Sequence, residues 1–203
     1  MYSRRETLGA ALAAAAGLLA PPWAGLAAKT LAEGATPYGA AVRAELIGRD
    51  PDYTRAIIAN CDMVVPEAAL KWADIRPDRE TFDFEKGDRI ARFAADQNLR
   101  LRGHTLAWYG AMPAWTEAIA TAEEAERELS RHIERVVTRY RGAIWSWDVV
   151  NEPLVDDPSG PDDLRPSIWR RQLGADYIAL ALRLAHAADP NAQLVVNEYY
   201  IEY

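Results

Sequence analysis

The stretch Trp147–Pro153, WDVVNEP, places an amide and a carboxylate directly after an apolar segment. Valine and tryptophan favour β-strands, and proline cannot donate to a strand ladder, so the stretch predicts a buried strand that ends beside Glu152. Similar apolar runs that predict four further strands lie at residues 38–43, 61–67, 99–108 and 192–200. The chain therefore predicts about five short strands, and WDVVNEP belongs to the fourth.

Helix patterns separate these strands. Asp50 is a predicted N-cap directly ahead of Pro51. Thr121 and Glu124 form a capping box at the start of a long amphipathic helix. Further helices are predicted at residues 86–98 and 175–188. Strands that alternate with helices indicate parallel β/α units, either in a doubly wound sheet or in a (β/α)8 barrel. A complete barrel typically needs about 250 residues, so a barrel built from this chain is expected to be incomplete, with about the first five units.

The N-terminus has the layout of a secretory signal peptide. A short basic head precedes an apolar run at residues 8–20, and Arg4-Arg5 resembles a twin-arginine export signal. The run is too short to span about 30 Å of hydrocarbon, so we expect export to the periplasm or the outside and no stable membrane insertion. The predicted division is a signal peptide at residues 1–27 and one domain at residues 28–203.

Composition narrows the classes of function. The chain has a net charge of −7 and no stripe rich in lysine and arginine, which argues against a nucleic-acid partner. Cys61 is the single cysteine, so no intramolecular disulfide can form. The three histidines lack metal-ligand spacing, and the sequence has neither a glycine-rich phosphate loop nor a Gly-x-Ser-x-Gly turn. We therefore predict no metal and no cofactor.

Polar and aromatic residues follow the predicted strands. They are Glu67 and Lys71 after the second strand, His104 and Trp108 after the third, Asn151 and Glu152 after the fourth, and Asn197 to Tyr200 after the fifth. Active sites of parallel β/α folds lie at the C-terminal ends of the strands, so these residues predict one shared site. An indole face, carboxylates and amides suit a sugar, which offers a C–H face and several hydroxyls.

Strand alternation predicts which of these side chains share a face. The two predicted sets are Arg102, His104, Leu106 and Trp108 on the third strand, and Asp148, Val150 and Glu152 on the fourth. If both sets point inward, Asp148 orients His104 from below while Glu152 meets a ligand above. Each residue alone also has a structural explanation, which is packing for the tryptophans and ion pairing for the carboxylates.

The joint pattern resembles the family-10 glycoside hydrolases, the endo-1,4-β-xylanases that degrade plant cell-wall xylan. RGHTLAWYGAMPAW (residues 102–115) is similar to the family's Arg-Gly-His-Thr-Leu-x-Trp segment, and WDVVNEP to its acid/base segment. PEAALKW (66–72) and VVNEYYIEY (195–203) resemble its Glu-Asn-x-x-Lys-Trp and Asn-Asp-Tyr-Asn segments. The likeness covers residues 37–203 and implies a TIM barrel that hydrolyses internal β-1,4 bonds of xylan with retention.

The resemblance also implies a role for each matching residue. Glu152 would be the general acid/base, and Asn151 and His104 would bond hydroxyls of the sugar at the cleavage point. Four further substrate contacts are implied, namely Trp108 as the floor of that subsite, Glu67 and Lys71 at the next sugar on the non-reducing side, and Tyr199 towards the leaving group. The family's nucleophile, a glutamate in a Thr-Glu-x-Asp segment, is expected beyond Tyr203, so the chain alone should be inactive.

The sequence departs from the family pattern at the predicted sugar subsites. Ala68 replaces an asparagine, Tyr109 to Ala111 replace a His-x-Gln stretch, and Glu198 and Tyr200 replace an aspartate and an asparagine. These departures leave open a related β-glycanase with another glycone preference. A third interpretation is a non-catalytic protein that binds xylo-oligosaccharides without hydrolysing them.

Overall fold

The computed structural model describes residues 36–157 and 163–199. The predicted signal peptide and Tyr200 lie outside the described residues. Five parallel strands form a sheet in the order β1-β2-β3-β4-β5. The strands are β1 (Gly39–Val42), β2 (Met63–Pro66), β3 (Arg100–Ala107), β4 (Ile144–Asn151) and β5 (Gln193–Asn197). A doubly wound sheet reverses its strand order, so this unbroken order identifies consecutive units of a β/α barrel.

Helices connect successive strands. They are α1 (Pro51–Asn60), α2 (Trp72–Ile75), α3 (Glu85–Asp96), α4 (Ala122–Arg139), α5 (Ile168–Leu173) and α6 (Tyr177–Ala188), with a 3₁₀ helix at Ala114–Ala118. Both predicted caps are present: the Asp50 carboxylate accepts from two backbone N–H groups at 3.0 Å, and the Thr121 hydroxyl accepts from the Glu124 N–H at 3.2 Å. None of the described helices is long and apolar enough to cross a membrane.

The helices cover one face of the sheet and close its apolar core. Leu129, Ile133 and Val136 of α4 are fully buried, as helical spacing predicts. Across β3 and β4, Trp147 lies against Gly103 so closely that a Cβ at position 103 would be 2.2 Å from the indole ring. Gly103 is therefore required for the contact between these two strands.

A fully buried histidine lies in the outer layer of the fold. The His132 ring on α4 stacks on Trp72 with centroids 3.9 Å apart, and neither ring nitrogen has a hydrogen-bond partner among the described residues. Burial and, second, the charge of Arg76 lower the pKa of His132 well below its ordinary value. The folded protein thus keeps His132 neutral at a pH where the unfolded chain binds a proton.

This difference predicts a loss of stability in acid. Below the ordinary histidine pKa the unfolded state gains a proton that the folded state does not, so the free energy of unfolding falls by about 1 kcal/mol from pH 6.5 to 5.5. His132→Phe keeps an aromatic ring on Trp72 and should remove this contribution in urea titrations at several pH values. The matched control is His186→Phe at an exposed site on α6, which should retain the slope. Equal slopes in wild type and His132→Phe would contradict the prediction.

Candidate active site

The carboxylate of Asp148 on β4 is the centre of the polar network on the inner face of the sheet. Asp148 is only 2% exposed and accepts hydrogen bonds from Nε of Arg102 at 3.0 and 3.1 Å. Nδ1 of His104 lies 2.9 Å from Oδ2 of Asp148, which also accepts from Arg102 at 3.1 Å. A carboxylate only accepts, so Nδ1 carries the proton and Nε2 is left for a ligand. The expected contact between Asp148 and His104 is present.

Strand alternation fails just above Asp148. Asp148 pairs with Val195 and Val150 with Val196, so Val149 is an extra residue in the ladder, a β-bulge. Asn151 then shares the polar face with Asp148, and the predicted set of Asp148, Val150 and Glu152 is wrong at Val150. Because of this bulge, both Asn151 and Glu152 can lie at the site.

Asn151 is bound to the next strand. Its side-chain oxygen accepts from Nδ2 of Asn197 at 2.7 Å, and the oxygen of Asn197 accepts from Arg102 at 3.3 Å. Asn151 is buried, and its own Nδ2 has no hydrogen-bond partner among the described residues. The network therefore fixes the Asn151 amide while it leaves one donor unused.

Glu152 follows β4 in an unusual backbone conformation. Its φ is +50°, in the left-handed region that non-glycine residues rarely adopt, and its N–H donates to the Asn197 carbonyl at 2.7 Å. Nε1 of Trp108 donates to Oε2 of Glu152 at 2.8 Å. The backbone and the indole thus hold this carboxyl group from two sides.

The residues predicted to bind the sugar on the non-reducing side of the cleavage point line one open cavity. Glu67, Lys71, His104 and Asp148 border a space of about 490 Å³, together with the inner faces of β1 and β2. Nζ of Lys71 also lies 4.7 Å from the centroid of the Trp108 ring, a cation–π distance. The cavity and the carboxyl group of Glu152 are therefore joined through Trp108.

Tyr199 lies on the other side of Glu152 and is connected to it through Arg165. The Arg165 guanidinium donates to the Tyr199 hydroxyl at 2.7 Å, to Asp156 at 2.6 Å and to the Glu152 carbonyl at 3.3 Å. Tyr199 also donates to Asp156, and this bond and that of Arg165 lower the pKa of the Asp156 carboxyl. Tyr199 does not line the cavity described above.

Three residues that contact the site, Arg102, Arg165 and Asn197, had no predicted role of their own, although Arg102 and Asn197 were already placed on the predicted strands. Arg102 and Asn197 lie at predicted strand positions, and their polarity inside apolar runs was a usable signal. Arg165 lies in a loop without periodicity, and a bridge between Leu154 and Leu164 brings it back to the rim. Among the described residues, no group of three acidic, histidine or cysteine side chains could hold a metal ion.

A β/α barrel whose C-terminal rim holds a carboxyl group against an indole, with amides and a histidine beside it, defines the class of barrel glycosidases. Residues 26–203 match the family model described as Glycosyl hydrolase family 10, and the chain belongs to this family. The curated relatives described next are named endo-1,4-beta-xylanases.

Two curated relatives illustrate the likeness. Endo-1,4-beta-xylanase A of Phanerodontia chrysosporium is 38% identical over 157 residues, which are 76% of this chain and 38% of that protein. Endo-1,4-beta-xylanase B of Paenibacillus barcinonensis is 38% identical over 168 residues, 79% of this chain and 48% of that protein. The chain thus spans about half the length, or less, of these relatives.

Solved structures agree with the fold. Xylanase 10B from Thermotoga petrophila RKU-1, solved in complex with xylobiose, superposes with a TM-score of 0.75 at 32% identity and covers 81% of this chain and 50% of that one. A psychrophilic glycoside hydrolase family 10 endo-beta-1,4-xylanase also has a TM-score of 0.75 at 32% identity, and the match covers 80% of this chain and 52% of that one. The predicted barrel fold is confirmed by these comparisons.

The network around Asp148 predicts a large effect of Asp148→Asn. The substitution removes the charge that faces Arg102 and leaves hydrogen bonds to a buried group unmade, so the free energy of unfolding should fall by about 2 kcal/mol. Urea denaturation measures the change. Asp52→Asn is the matched control. Both side chains of its ion pair with Arg55 are exposed, so this pair should contribute far less to the free energy of unfolding. Similar losses in both variants would contradict a central role for Asp148.

Proposed function

We propose that this chain provides the acid/base half of an endo-1,4-β-xylanase site that cleaves internal β-1,4 bonds of xylan with retention. The observation that carries the proposal is the fixed carboxyl group of Glu152, held by Trp108 at the rim of a family 10 barrel. A retaining glycosidase needs an acid at this position that protonates the departing oxygen and then acts as a base towards water.

The geometry favours one oxygen of Glu152 for proton transfer. An indole N–H can only donate, so Oε2, which accepts from Trp108, is an acceptor and not the protonated oxygen. The transferable proton therefore belongs on Oε1. This arrangement would point the acid towards the glycosidic oxygen, because the Glu152 side chain is already held in one conformation.

The substrate-binding roles follow the family resemblance and are supported by the contacts. Nε2 of His104 and the unused Nδ2 of Asn151 would bond sugar hydroxyls at the cleavage point. Trp108 would form the floor of the subsite at the cleavage point, and Glu67 and Lys71 would hold the next sugar on the non-reducing side, in the open cavity. Tyr199 would face the leaving group from the side of Arg165.

The second carboxylate of the reaction is proposed to lie outside the 203 residues. In retaining enzymes the nucleophile stands about 5 Å from the acid/base and attacks the anomeric carbon. The resemblance assigns it to a Thr-Glu-x-Asp segment that this sequence does not contain. Activity is therefore best tested in the protein expressed from its complete reading frame.

A related β-glycanase activity is the second candidate, because Ala68 is exposed beside Glu67 where the family has an asparagine. The lost amide removes one polar contact to the outer sugar. A hydrolysis screen on xylan, cellulose, mannan and mixed-linkage glucan separates the two, and xylan is the expected substrate.

Glu152→Ala tests the acid/base role directly. The variant should lose about 10²- to 10⁴-fold in kcat/KM on xylan, whose leaving group needs a proton. Formation of the glycosyl-enzyme from 2,4-dinitrophenyl β-xylobioside should change little, since that leaving group departs unprotonated. Added azide should raise turnover of this substrate, because a small anion can attack without a general base.

The matched control is Glu126→Ala at an exposed site on α4, which should leave both substrates unaffected. If Glu152→Ala lost the same factor on xylan and on the dinitrophenyl glycoside, general acid catalysis by Glu152 would be excluded.

We propose in addition that the protein is exported through a twin-arginine signal at its N-terminus. The Arg4-Arg5 pair, the apolar run and the small residues that follow support this proposal. Replacing both arginines by lysine keeps the charge but removes the pair of guanidinium groups.

Arg4→Lys with Arg5→Lys should therefore leave uncleaved precursor in the cytoplasm of the native host, detected by immunoblot of cell fractions. The control, Arg43→Lys with Arg49→Lys, retains the leader and should be exported and cleaved normally. Normal export of the Arg4/Arg5 variant would show that the pair is not the signal.

A further inference from the structure

Arg165 contacts the backbone of Glu152 although it lies 13 positions further along the chain. The chain turns back after β4: a bridge joins Leu154 to Leu164, and the N–H of Arg165 donates to the Pro153 carbonyl at 2.6 Å. From there the side chain of Arg165 extends to the preceding peptide group, where its Nε donates to the Glu152 carbonyl at 3.3 Å. The loop therefore delivers a cationic donor to the residue that carries the acid.

The guanidinium of Arg165 is itself held in place. Its outer nitrogen donates to the Tyr199 hydroxyl at 2.7 Å and to the Asp156 carboxylate at 2.6 Å. The ring of Tyr109 covers it, with the ring centroid 4.7 Å from the guanidinium carbon. The side chain is only 16% exposed. Because contacts from three segments hold the planar group, its Nε is a fixed donor and not a mobile surface charge.

The backbone of Glu152 depends on such a donor. Its φ of +50° is unfavourable for a residue with a Cβ, and the proline that follows restricts it further. The N–H of Glu152 is bonded to the Asn197 carbonyl, and the bond from Arg165 fixes the Glu152 carbonyl on the other side of the Cα. Together these two bonds fix both backbone torsions of Glu152, and with them the direction in which its side chain leaves the backbone.

Trp108 fixes the opposite end of the same side chain. Its indole N–H bonds Oε2, which is one point on the carboxyl group. A bond at that point leaves the Cα free to shift, and a shift of about 1 Å in a reacting group can cost about 10²-fold in rate. The carboxyl group is therefore held in line only if the backbone of Glu152 is held as well.

We infer that Arg165 is a positioning residue that fixes the backbone of Glu152 and so aims its carboxyl group at the glycosidic oxygen. This inference rests on the proposed function. Arg165 acts through Glu152, so its loss should matter where the departing oxygen needs a proton and should matter little where it does not. A residue that served only the stability of the fold would affect both kinds of substrate equally.

The test compares Arg165→Lys with wild type, both from the complete reading frame, on two aryl glycosides. Lysine keeps the charge but has one nitrogen in place of the planar fork, so it cannot bond the Glu152 carbonyl and the outer partners at once. On phenyl β-xylobioside, whose leaving group needs a proton, kcat/KM should fall about tenfold, the usual effect of one hydrogen bond to a charged group. On 2,4-dinitrophenyl β-xylobioside the fall should stay below about threefold. Thermal melting checks that the fold is unchanged.

Two further variants locate the effect. Asp156→Asn removes the charge of the outer ion pair but keeps an acceptor for Arg165 and leaves the bond to Glu152 in place, so its fall on the phenyl glycoside should stay below about threefold. Arg171→Lys, at an exposed site on α5, is the matched control and should equal wild type on both substrates. Equal falls on both substrates in Arg165→Lys, or no fall, would overturn the positioning role, and so would a tenfold fall in Asp156→Asn.

Glu152→Ala in the same assay separates this inference from the proposed function. If Glu152→Ala depends on the leaving group and Arg165→Lys does not, the inference on Arg165 fails while the proposed function stands. If Glu152→Ala loses the same factor on both glycosides, the proposed function fails, and the role of Arg165 fails with it.

Discussion

The buried carboxylate of Asp148 constrains the inner face of the sheet. A charge removed from water is strongly unfavourable unless it is paired and hydrogen-bonded, so Asp148 can stay buried only with Arg102 and His104 against it. Arg102 extends the same network to Asn197, and Asn197 holds Asn151. Three adjacent strands are thereby fixed relative to one another by one ionised group.

Glu152 is not part of that network, but its position depends on it. Its backbone N–H is bonded to Asn197, so the left-handed turn at the end of β4 starts from a strand pair whose register is already fixed. Trp108 and Arg165 then add contacts from two further segments of the chain. A less common backbone conformation can persist at this site because its surroundings determine it from several directions.

Local sequence patterns predicted the helices well, whereas the site depends on contacts between strands, which a local pattern does not reveal. Caps such as Asp50 and Thr121 satisfy N–H groups within a few residues, so the sequence contains the whole interaction. The bulge at Val149 is different, because the extra residue exists only relative to β5 and leaves no local pattern. The same reason applies to Arg165, whose partners are distant in sequence. The helix α2 was missed for another reason, because a single turn is too short to show a helical period.

The contact of Trp147 with Gly103 has a consequence for how this fold can vary. The two positions share one volume, so neither can be considered alone: a larger residue at 103 is compatible only with a smaller one at 147. Substitutions there should be strongly non-additive, with the second change recovering stability lost by the first. The residues at positions 103 and 147 are therefore expected to change together. At this contact the sequence of the third strand limits the sequence of the fourth.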